Sequence, residues 1–301
     1  MIVLKAPQDK LLAALQAVSG IVERRHTLPI LANVMLRKQG PECEFTTSDL
    51  EIQVRTRAEM GGDAGDFSIT VGARKLIDIL RTLPGDQIVT LSAAQNKLTL
   101  QGGKSRFTLQ TLPADDFPLV QEAADFGPTF SVPQKTLKHL IDQVHFAMAV
   151  HDIRYYLNGI LFVAEGHTLT LVATDGHRLA YACIEIGNDV SLPRQELILP
   201  RKTVLELNRL LSDNDEPLVI ETTANQVRFQ FGNISLVSKL IDGKFPDYER
   251  VIPASLKNRV LLNRTLLLQS MVRAAILTNE KFRGVRLILA PGSLKIMAAN
   301  A

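Results

Sequence analysis

The sequence has few of the features that mark secreted, membrane-bound or metal-binding proteins. Its two cysteines, Cys43 and Cys183, lack the spacing of metal ligands. The start, Met-Ile-Val-Leu-Lys-Ala-Pro-Gln, has no basic segment followed by an apolar one, and no apolar run approaches the roughly 18 residues of a membrane span. These absences predict a protein without signal peptide, membrane segment, metal or other cofactor, in a reducing cytoplasmic setting.

Length and composition are those of a globular protein with several domains. The 301 residues are 46% hydrophobic and 22% charged, with a formal net charge of +3. A chain of this length typically forms two or three domains.

A long internal repeat organises the chain. Pro7-Gln8 recurs as Pro133-Gln134 and Ser48-Asp49 as Thr174-Asp175, each 126 residues later. The other matches are Leu11 with Leu137, Leu15 with Ile141, Arg74-Lys75 with Arg201-Lys202, Leu112 with Leu240, and Phe117-Pro118 with Phe245-Pro246. A third copy begins where Leu266 follows Leu137, Gly284 follows Gly159 and Asn300 follows Asp175. So long a period indicates duplicated domains, which we place at 1–125, 129–254 and, incompletely, 259–301.

Each copy has the pattern of an α+β domain. Apolar residues at helical spacing predict helices over 7–19, 73–83, 133–149, 200–211 and 263–277. Alternating or short apolar runs between turn formers predict strands in the first copy at 34–37, 43–47, 51–57, 88–91, 97–100 and 106–110. We therefore expect repeated domains, each with two helices packed on antiparallel sheets.

The predicted helices are more basic than the rest of the chain. They carry eleven Lys or Arg residues and four acids, a balance of +7, so the remainder carries −4. Matched basic helices favour a surface that attracts nucleic acid, although basic residues also serve solubility on exposed helix faces.

Several longer segments resemble a known family. They are 27–31 (Thr-Leu-Pro-Ile-Leu), 151–159 (His-Asp-Ile-Arg-Tyr-Tyr-Leu-Asn-Gly), 173–180 (Ala-Thr-Asp-Gly-His-Arg-Leu-Ala), Pro200-Arg201-Lys202, 242–248 (Asp-Gly-Lys-Phe-Pro-Asp-Tyr) and 279–286 (Asn-Glu-Lys-Phe-Arg-Gly-Val-Arg). Together they resemble the bacterial DNA polymerase III beta subunits, the replicative sliding clamps. The resemblance implies a DNA clamp fold of three similar domains, a head-to-tail ring of two subunits, helices lining the hole, and no catalytic site.

The resemblance also implies roles for individual residues. Duplex DNA would be contacted by Arg25, His151, Tyr155, Tyr156 and Lys202. A partner-peptide groove would include Leu157, Thr174, Gly176, His177, Arg178, Leu179, Pro246, Arg250 and Val251. The subunit interface would include Arg74, Lys104, Arg106, Phe107, Leu109, Ile276 and Leu277.

The implied partners are double-stranded DNA and proteins that dock short hydrophobic peptides. These are the DNA polymerase III alpha subunit, the clamp loader and repair polymerases; no membrane partner is expected. The family forms homodimers, but the incomplete third copy leads us to expect a mostly monomeric chain.

Three alternatives remain open at this stage. Asp175 and His177 could form the acid and base of an enzyme, but the repeated Asp49 and Asp175 more often organise a turn after a strand. Tyr155 and Tyr156 could pack at the start of a strand instead of contacting DNA. The chain could also be an interaction scaffold independent of DNA.

Overall fold

The computed structural model describes residues 1–23, 27–187, 191–278 and 283–298. They form two compact units, Met1–Pro246 and Asp247–Ala301, each described here by itself.

The described residues form five α-helices, at the predicted places. They are α1 (Gln8–Val18), α2 (Ala73–Arg81), α3 (Gln134–Val144), α4 (Arg201–Leu210) and α5 (Arg264–Ala275). A proline immediately precedes α1, α3 and α4, and its fixed φ suits a helix start. The predicted third helix is too long: α3 ends at Val144, because His145–Ala147 form a 3-10 turn and Met148 is extended.

The strands alternate with the helices as predicted, with additions. The strands are β1 (Ile2–Pro7), β2 (Asn33–Gln39), β3 (Glu42–Ser48), β4 (Ile52–Glu59), β5 (Phe67–Gly72), β6 (Ile88–Ala94), β7 (Lys97–Gly102), β8 (Ser105–Leu112), β9 (Thr129–Pro133), β10 (Gly159–Gly166), β11 (Thr168–Thr174), β12 (Leu179–Glu185), β13 (Leu192–Pro200), β14 (Pro217–Thr222), β15 (Gln226–Phe231), β16 (Ile234–Lys239), β17 (Arg286–Ala290) and β18 (Ser293–Met297). Strands β1 and β5 of the first copy were not predicted from the sequence, because each is stabilised by pairing with a strand distant in sequence, β6 and β2 respectively.

One sheet runs through both copies in the first unit. Its twelve strands lie in the order β1-β6-β7-β8-β5-β2-β3-β4-β16-β15-β14-β9, and β12-β11-β10-β13 form a second sheet. The copies meet where β4 pairs antiparallel with β16, from Thr56 opposite Ile234 to Ile52 opposite Ser238. In the second unit, β17 and β18 form an antiparallel hairpin.

The helices of the first unit bury their apolar stripes on these sheets. Helix α1 contacts α2, β3 and β4, and α3 contacts α4, β11 and β12. The buried stripes are Leu11, Leu15 and Val18 on α1, Leu76, Ile77 and Leu80 on α2, Leu137, Leu140, Ile141 and Val144 on α3, and Val204 and Leu207 on α4. Their side chains belong to one hydrophobic cluster that extends through both copies, so burial of apolar surface stabilises the two copies together.

Helix α4 of the second copy is hydrogen-bonded to the end of α1 in the first. Arg209 donates from Nη2 to the carbonyl oxygens of Gln16 (3.3 Å) and Ala17 (3.1 Å). The same nitrogen donates to Oε1 of Glu206 at 2.6 Å, and Glu206 is only 6% exposed. A Cβ on Gly20 would collide with this carboxylate, so glycine permits the close approach.

The segment between the copies is anchored to strands of both. Glu122 pairs with Arg55 on β4 and with Arg228 on β15, the second contact being 3.1 Å. Arg228 also lies 4.2 Å from the ring centroid of Phe126 and pairs with Glu221 at 2.6 Å. Charge pairs and one cation–π contact therefore hold the connection on both sides of the β4–β16 pairing.

Replacement of Arg209 with Leu tests the contact between α4 and α1. The change leaves the buried Glu206 carboxylate without its cation, so we expect the free energy of unfolding in urea to fall by about 1–3 kcal/mol. The double variant Glu206→Gln with Arg209→Leu should recover part of the loss.

Lys135→Leu provides the matched control, because it removes an exposed ion pair on α3, with Asp215 at 2.7 Å, and should change stability little. Equal losses in the Arg209 and Lys135 variants would contradict a special role for the buried carboxylate.

Candidate DNA-facing surface and partner groove

The repeated aspartates organise the same turn in both copies, as predicted. Asp49 accepts hydrogen bonds at Oδ1 from the amides of Glu51 (2.9 Å) and Ile52 (2.7 Å). The Oγ of Ser48 accepts from the amide of Leu50 at 3.1 Å. Leu50 has a positive φ of 78°, which this turn requires.

The second copy repeats these bonds with different residues. Asp175 accepts at Oδ1 from the amides of His177 (2.9 Å) and Arg178 (3.0 Å). The hydroxyl of Thr174 accepts from the amide of Gly176 at 3.1 Å, and Gly176 has φ +87°. The positive φ explains why glycine suits this position.

The hydrogen bonds of Asp175 make it a poor general acid. Its second oxygen, Oδ2, is 3.2 Å from Nε of Arg178. Partial burial opposes ionisation of Asp175, but the amides of His177 and Arg178 and the Arg178 guanidinium lower the pKa of this carboxyl below its ordinary value. The hydrogen bond from His177 to Asp175 comes from its backbone amide and not from the imidazole.

Arg178 is held in place on the exposed side of this turn. Its Nη2 donates to the carbonyl oxygen of Phe146 at 2.7 Å, and its guanidinium carbon lies 5.6 Å from the Phe146 ring centroid. Phe146 is 55% exposed. The pair presents a fixed cation beside an apolar ring, although nothing in the sequence spacing indicated Phe146.

The loop at 151–158 is braced by two internal contacts. Arg154 forms a two-point ion pair with Asp152, Nε to Oδ1 at 3.0 Å and Nη2 to Oδ2 at 2.8 Å. These bonds from Arg154 lower the pKa of Asp152 to about 2. Asn158 accepts from the amide of Asp152 (3.0 Å) and donates to its carbonyl oxygen (2.9 Å). His151 is exposed at the head of the loop with φ +55°.

Arg154 also connects this loop to the turn at Asp175. Its Nη2 donates to the carbonyl oxygen of Asp175 at 3.2 Å. A Cβ on Gly176 would lie 2.9 Å from Nη1 of Arg154. The segment predicted to contact DNA and the segment predicted to bind peptides are therefore adjacent. Arg154, which had no predicted role, connects them.

The tyrosine pair lies in a 3-10 turn before β10. Tyr155 is 57% exposed, Tyr156 is half-buried, and their rings meet edge to face with centroids 5.8 Å apart. A Cβ on Gly243 would be 3.3 Å from both side chains, so the 242–246 motif packs beside them. The half-buried Tyr156 side chain therefore fits a packing role better than the exposed Tyr155 side chain does.

The structure brings together part of the predicted groove. Residues 174–179 are contiguous and linked by hydrogen bonds to Phe146 and Arg154. Thr174 and Leu157 are buried, Leu179 is half-buried, and His177 and Pro246 are exposed. Arg250 and Val251 belong to the second unit, where both are exposed and Arg250 pairs with Asp247 at 2.9 Å.

Among the residues predicted to contact DNA, Lys202 is not a free cation. Its Nζ lies 2.7 Å from Oε1 of Glu23 and 2.5 Å from Oδ2 of Asp49. Arg25 lies outside the described residues. Other helix cations also have partners: Lys10 donates to the Glu59 carbonyl and Lys138 to the Asn208 carbonyl.

The predicted interface residues lie in two regions. In the first unit they are on β8, in the turn before it and on α2, and in the second unit they follow α5. Arg106, Phe107 and Leu109 are on β8, which pairs with β7 along its length but with β5 only at Thr111 and Leu112. Lys104 is in the exposed turn before β8, and Arg74 is exposed on α2. Ile276 and Leu277, which follow α5, are 77% and 60% exposed.

The described residues contain neither a candidate metal site nor a helix that could cross a membrane. No group of His, Cys, Asp and Glu side chains there could hold a metal ion. No helix there is long and apolar enough to span a membrane. Residues 279–282 of the last motif lie outside the described part.

Repeated α+β units, each with two helices packed on antiparallel sheets and joined by strand pairing from one copy to the next, define the DNA clamp fold. Family models of the DNA polymerase III beta subunit match the chain in three parts: its N-terminal domain at 3–121, its central domain at 131–247 and its C-terminal domain at 249–301. The chain belongs to this family, and it is a processivity-conferring DNA sliding clamp.

Named relatives and solved structures agree with this membership. The chain is 46% identical over 296 residues to the beta sliding clamp of Pseudomonas aeruginosa, and the match covers 97% of the chain and 79% of that protein. It is 43% identical over 293 residues to the beta sliding clamp of Escherichia coli, with the same coverage. A crystal structure of the Pseudomonas aeruginosa clamp bound to griselimycin superposes with a TM-score of 0.93 at 45% identity, over 98% of the chain and 80% of that structure.

The Asp152–Arg154 pair has a definite pH dependence. Because the folded-state pKa of Asp152, about 2, is below its ordinary value of 3.8, the pair stabilises the loop above pH 3.8 and loses this contribution as the pH falls toward 2. We expect an NMR titration of the Asp152 carboxyl to give a midpoint near 2 and Arg154→Gln to raise it toward 3.8.

Arg194→Gln is the control, since Arg194 on β13 pairs with Glu165 on β10 and with Glu196 on β13 and should leave the Asp152 midpoint unchanged. An Asp152 midpoint that did not respond to Arg154→Gln would contradict the assigned pair.

Proposed function

We propose that this clamp encircles duplex DNA with its helices toward the duplex and docks partner proteins at the turn around Asp175. The observation that supports the proposal is the continuous sheet through β4 and β16, which joins two repeated domains whose helices each pack on the sheets. Three domains, at 1–125, 129–254 and 259–301, are proposed as the repeating units.

The set proposed to contact DNA comprises Arg25, His151, Tyr155 and Tyr156. Lys202 would face the duplex beside them, but its ammonium is paired with Glu23 and Asp49. A ring is retained by topology, so its inner surface needs only diffuse positive charge, and counterion release supplies attraction that does not depend on sequence. The excess of basic residues on the helices and the exposure of His151 and Tyr155 support this set. A helix surface whose cations are partly neutralised, as Lys135 is by Asp215 and Arg209 by Glu206, suits sliding better than tight contact.

The proposed partner site extends from Phe146 and Arg154 to the turn at 174–179. Exposed Phe146 offers apolar surface for a leucine or aromatic anchor, while the fixed guanidinium of Arg178 can bind a peptide carbonyl. Leu157, Thr174, Leu179 and Pro246 would support this surface. The proposed partners are the polymerase III alpha subunit, the clamp loader and repair polymerases.

Subunit contact is proposed at the unpaired edge of β8. Antiparallel strand addition there would satisfy backbone groups that β5 leaves unpaired, with Arg106, Phe107 and Leu109 at the contact and Arg74 and Lys104 beside it. Ile276 and Leu277 would supply the partner surface in a homodimer.

The proposed role is non-enzymatic, in the cytoplasm where the chromosome is copied. The alternative of catalysis by Asp175 and His177 is disfavoured because the Asp175 carboxylate serves the turn in the same way as its counterpart Asp49. A scaffold without DNA is disfavoured by the family.

Gly176→Ala tests the peptide site. The new Cβ would be strained at φ +87° and would crowd Arg154, so we expect at least tenfold weaker binding of a short hydrophobic polymerase peptide, measured by fluorescence anisotropy. Gly166→Ala is the matched control, because Gly166 also has a positive φ, 56°, but no neighbour within 4 Å of the added Cβ. Similar loss in both variants would attribute the effect to backbone strain alone and contradict the site.

Tyr155→Ala tests the DNA-facing surface. Removal of an exposed aromatic side chain that stacks on or lies along the duplex should weaken association with DNA and shorten the products of a processive polymerase. Tyr181→Ala on β12 is the control, since Tyr181 is similarly exposed at 49%. Matching product lengths in the two variants would exclude Tyr155 from the DNA contact.

A further inference from the structure

Lys202 of the second copy is held by two carboxylates of the first. Lys202 lies in the first turn of α4, Asp49 in the turn between β3 and β4, and Glu23 in the segment after α1. The Asp49 side chain is 9% exposed, that of Lys202 37% and that of Glu23 50%. One ammonium and two carboxylates give this cluster a net charge of −1, at a position where a free cation was expected to contact DNA.

The repeat provides an internal comparison for this lysine. Lys75 occupies the corresponding position on α2, as the Arg74-Lys75 and Arg201-Lys202 matches show. Lys75 is exposed, and no carboxylate of residues 1–23, 27–187, 191–278 or 283–298 forms an ion pair with it. Two lysines that are equivalent in the repeat therefore differ in what they can offer to a phosphate.

The surroundings of Lys202 favour a charged lysine that stays paired. Partial burial opposes the charge, but hydrogen bonds and attraction from Asp49 and Glu23 raise the pKa of Lys202 above its ordinary value. Ion pairs that are partly buried are screened by salt less than exposed ones. A phosphate contact would therefore require Lys202 to leave two carboxylates. The free energy gained by releasing counterions from the DNA would be offset by the free energy lost with these two ion pairs.

We propose that Glu23 and Asp49 are positioning residues that withhold Lys202 from the DNA backbone and so weaken the hold of the clamp on DNA at the junction of its first two domains. The inference rests on the proposed function, in which the helices face the duplex. It assigns the two carboxylates a role in sliding: they remove one strong phosphate contact from a surface that must move along the duplex.

The test is a cycle of four proteins: the unaltered chain, Lys202→Ala, the double variant Glu23→Gln with Asp49→Asn, and the triple variant. Asn at position 49 keeps an oxygen that can accept from the amides of Glu51 and Ile52, so the turn is retained. Affinity for a short labelled DNA duplex is measured by anisotropy over a salt series.

We expect Lys202→Ala to leave the slope of log affinity against log salt unchanged when the carboxylates are present. In the double-variant background the same substitution should reduce the magnitude of the slope by about 0.9, the value for one phosphate contact. This corresponds to about a 3.5-fold change in the ratio of affinities between roughly 50 and 200 mM salt.

The matched control frees a different cation by the same change in charge. Arg194 on β13 is paired with Glu165 (2.8 Å) and Glu196 (2.5 Å), and Glu165→Gln with Glu196→Gln should leave the salt slope near that of the unaltered chain. A slope as steep as in the Glu23 and Asp49 double variant would show a general effect of net charge and overturn the proposal.

A second measurement works without DNA. Acylation by an amine-reactive reagent, followed by mass spectrometry, should modify Lys202 several-fold more slowly than Lys75 in the unaltered chain and at a similar rate in the double variant. Equal rates in the unaltered chain would overturn the restraint on Lys202.

The outcomes separate the inference from the proposed function. A slope that falls by about 0.9 on Lys202→Ala in the unaltered chain would overturn the restraint and leave the clamp function standing. Absence of salt-dependent association with the duplex in all four proteins would count against the proposed function, and the restraint on DNA contact would fail with it.

Discussion

The antiparallel pairing of β4 with β16 is the constraint on which the rest of the first unit depends. Five residue pairs join β4 of the first copy to β16 of the second, and they make one sheet of twelve strands from both copies. The hydrophobic cluster then extends across the junction. Arg209 and Glu122 fix the junction from opposite sides, through the end of α1 and through the connecting segment. Without this pairing, the two copies would not share a sheet.

The turns at Asp49 and Asp175 have the same backbone hydrogen bonds but different ion-pair partners. Asp49 and Asp175 each use one carboxylate oxygen to accept from two backbone amides. The remaining oxygen differs in its partner. In the first copy it binds Lys202 from the neighbouring domain, whereas in the second it binds Arg178 from the turn itself. One aspartate thus secures a domain junction, and the other orients an arginine beside an exposed phenylalanine.

Much of the fold was predictable because it depends on local patterns that occur twice. All five helices were predicted, and the strands around Val34, Cys43 and Lys97 follow from apolar alternation between turn formers. Strands β1 and β5 were missed because their stability comes from pairing with strands distant in sequence. The site was less predictable. The turn at Asp175 could be foreseen from Asp49, but Phe146 and Arg154 reach it by hydrogen bonds across 32 and 21 residues of sequence, which no spacing rule indicates.

The sequence by itself determined that the chain contains repeated α+β domains, that their helices are basic, and which family its motifs resemble. These conclusions depend on composition, period and local order, all of which are properties of the chain as written. Only the tertiary structure decided which charges are available. Lys75 and Lys202 are equivalent in the repeat, yet one is exposed and the other is held between Glu23 and Asp49. The physical reason is that an ion pair depends on distance in space, and the β4–β16 pairing brings α4 to the first copy's turn.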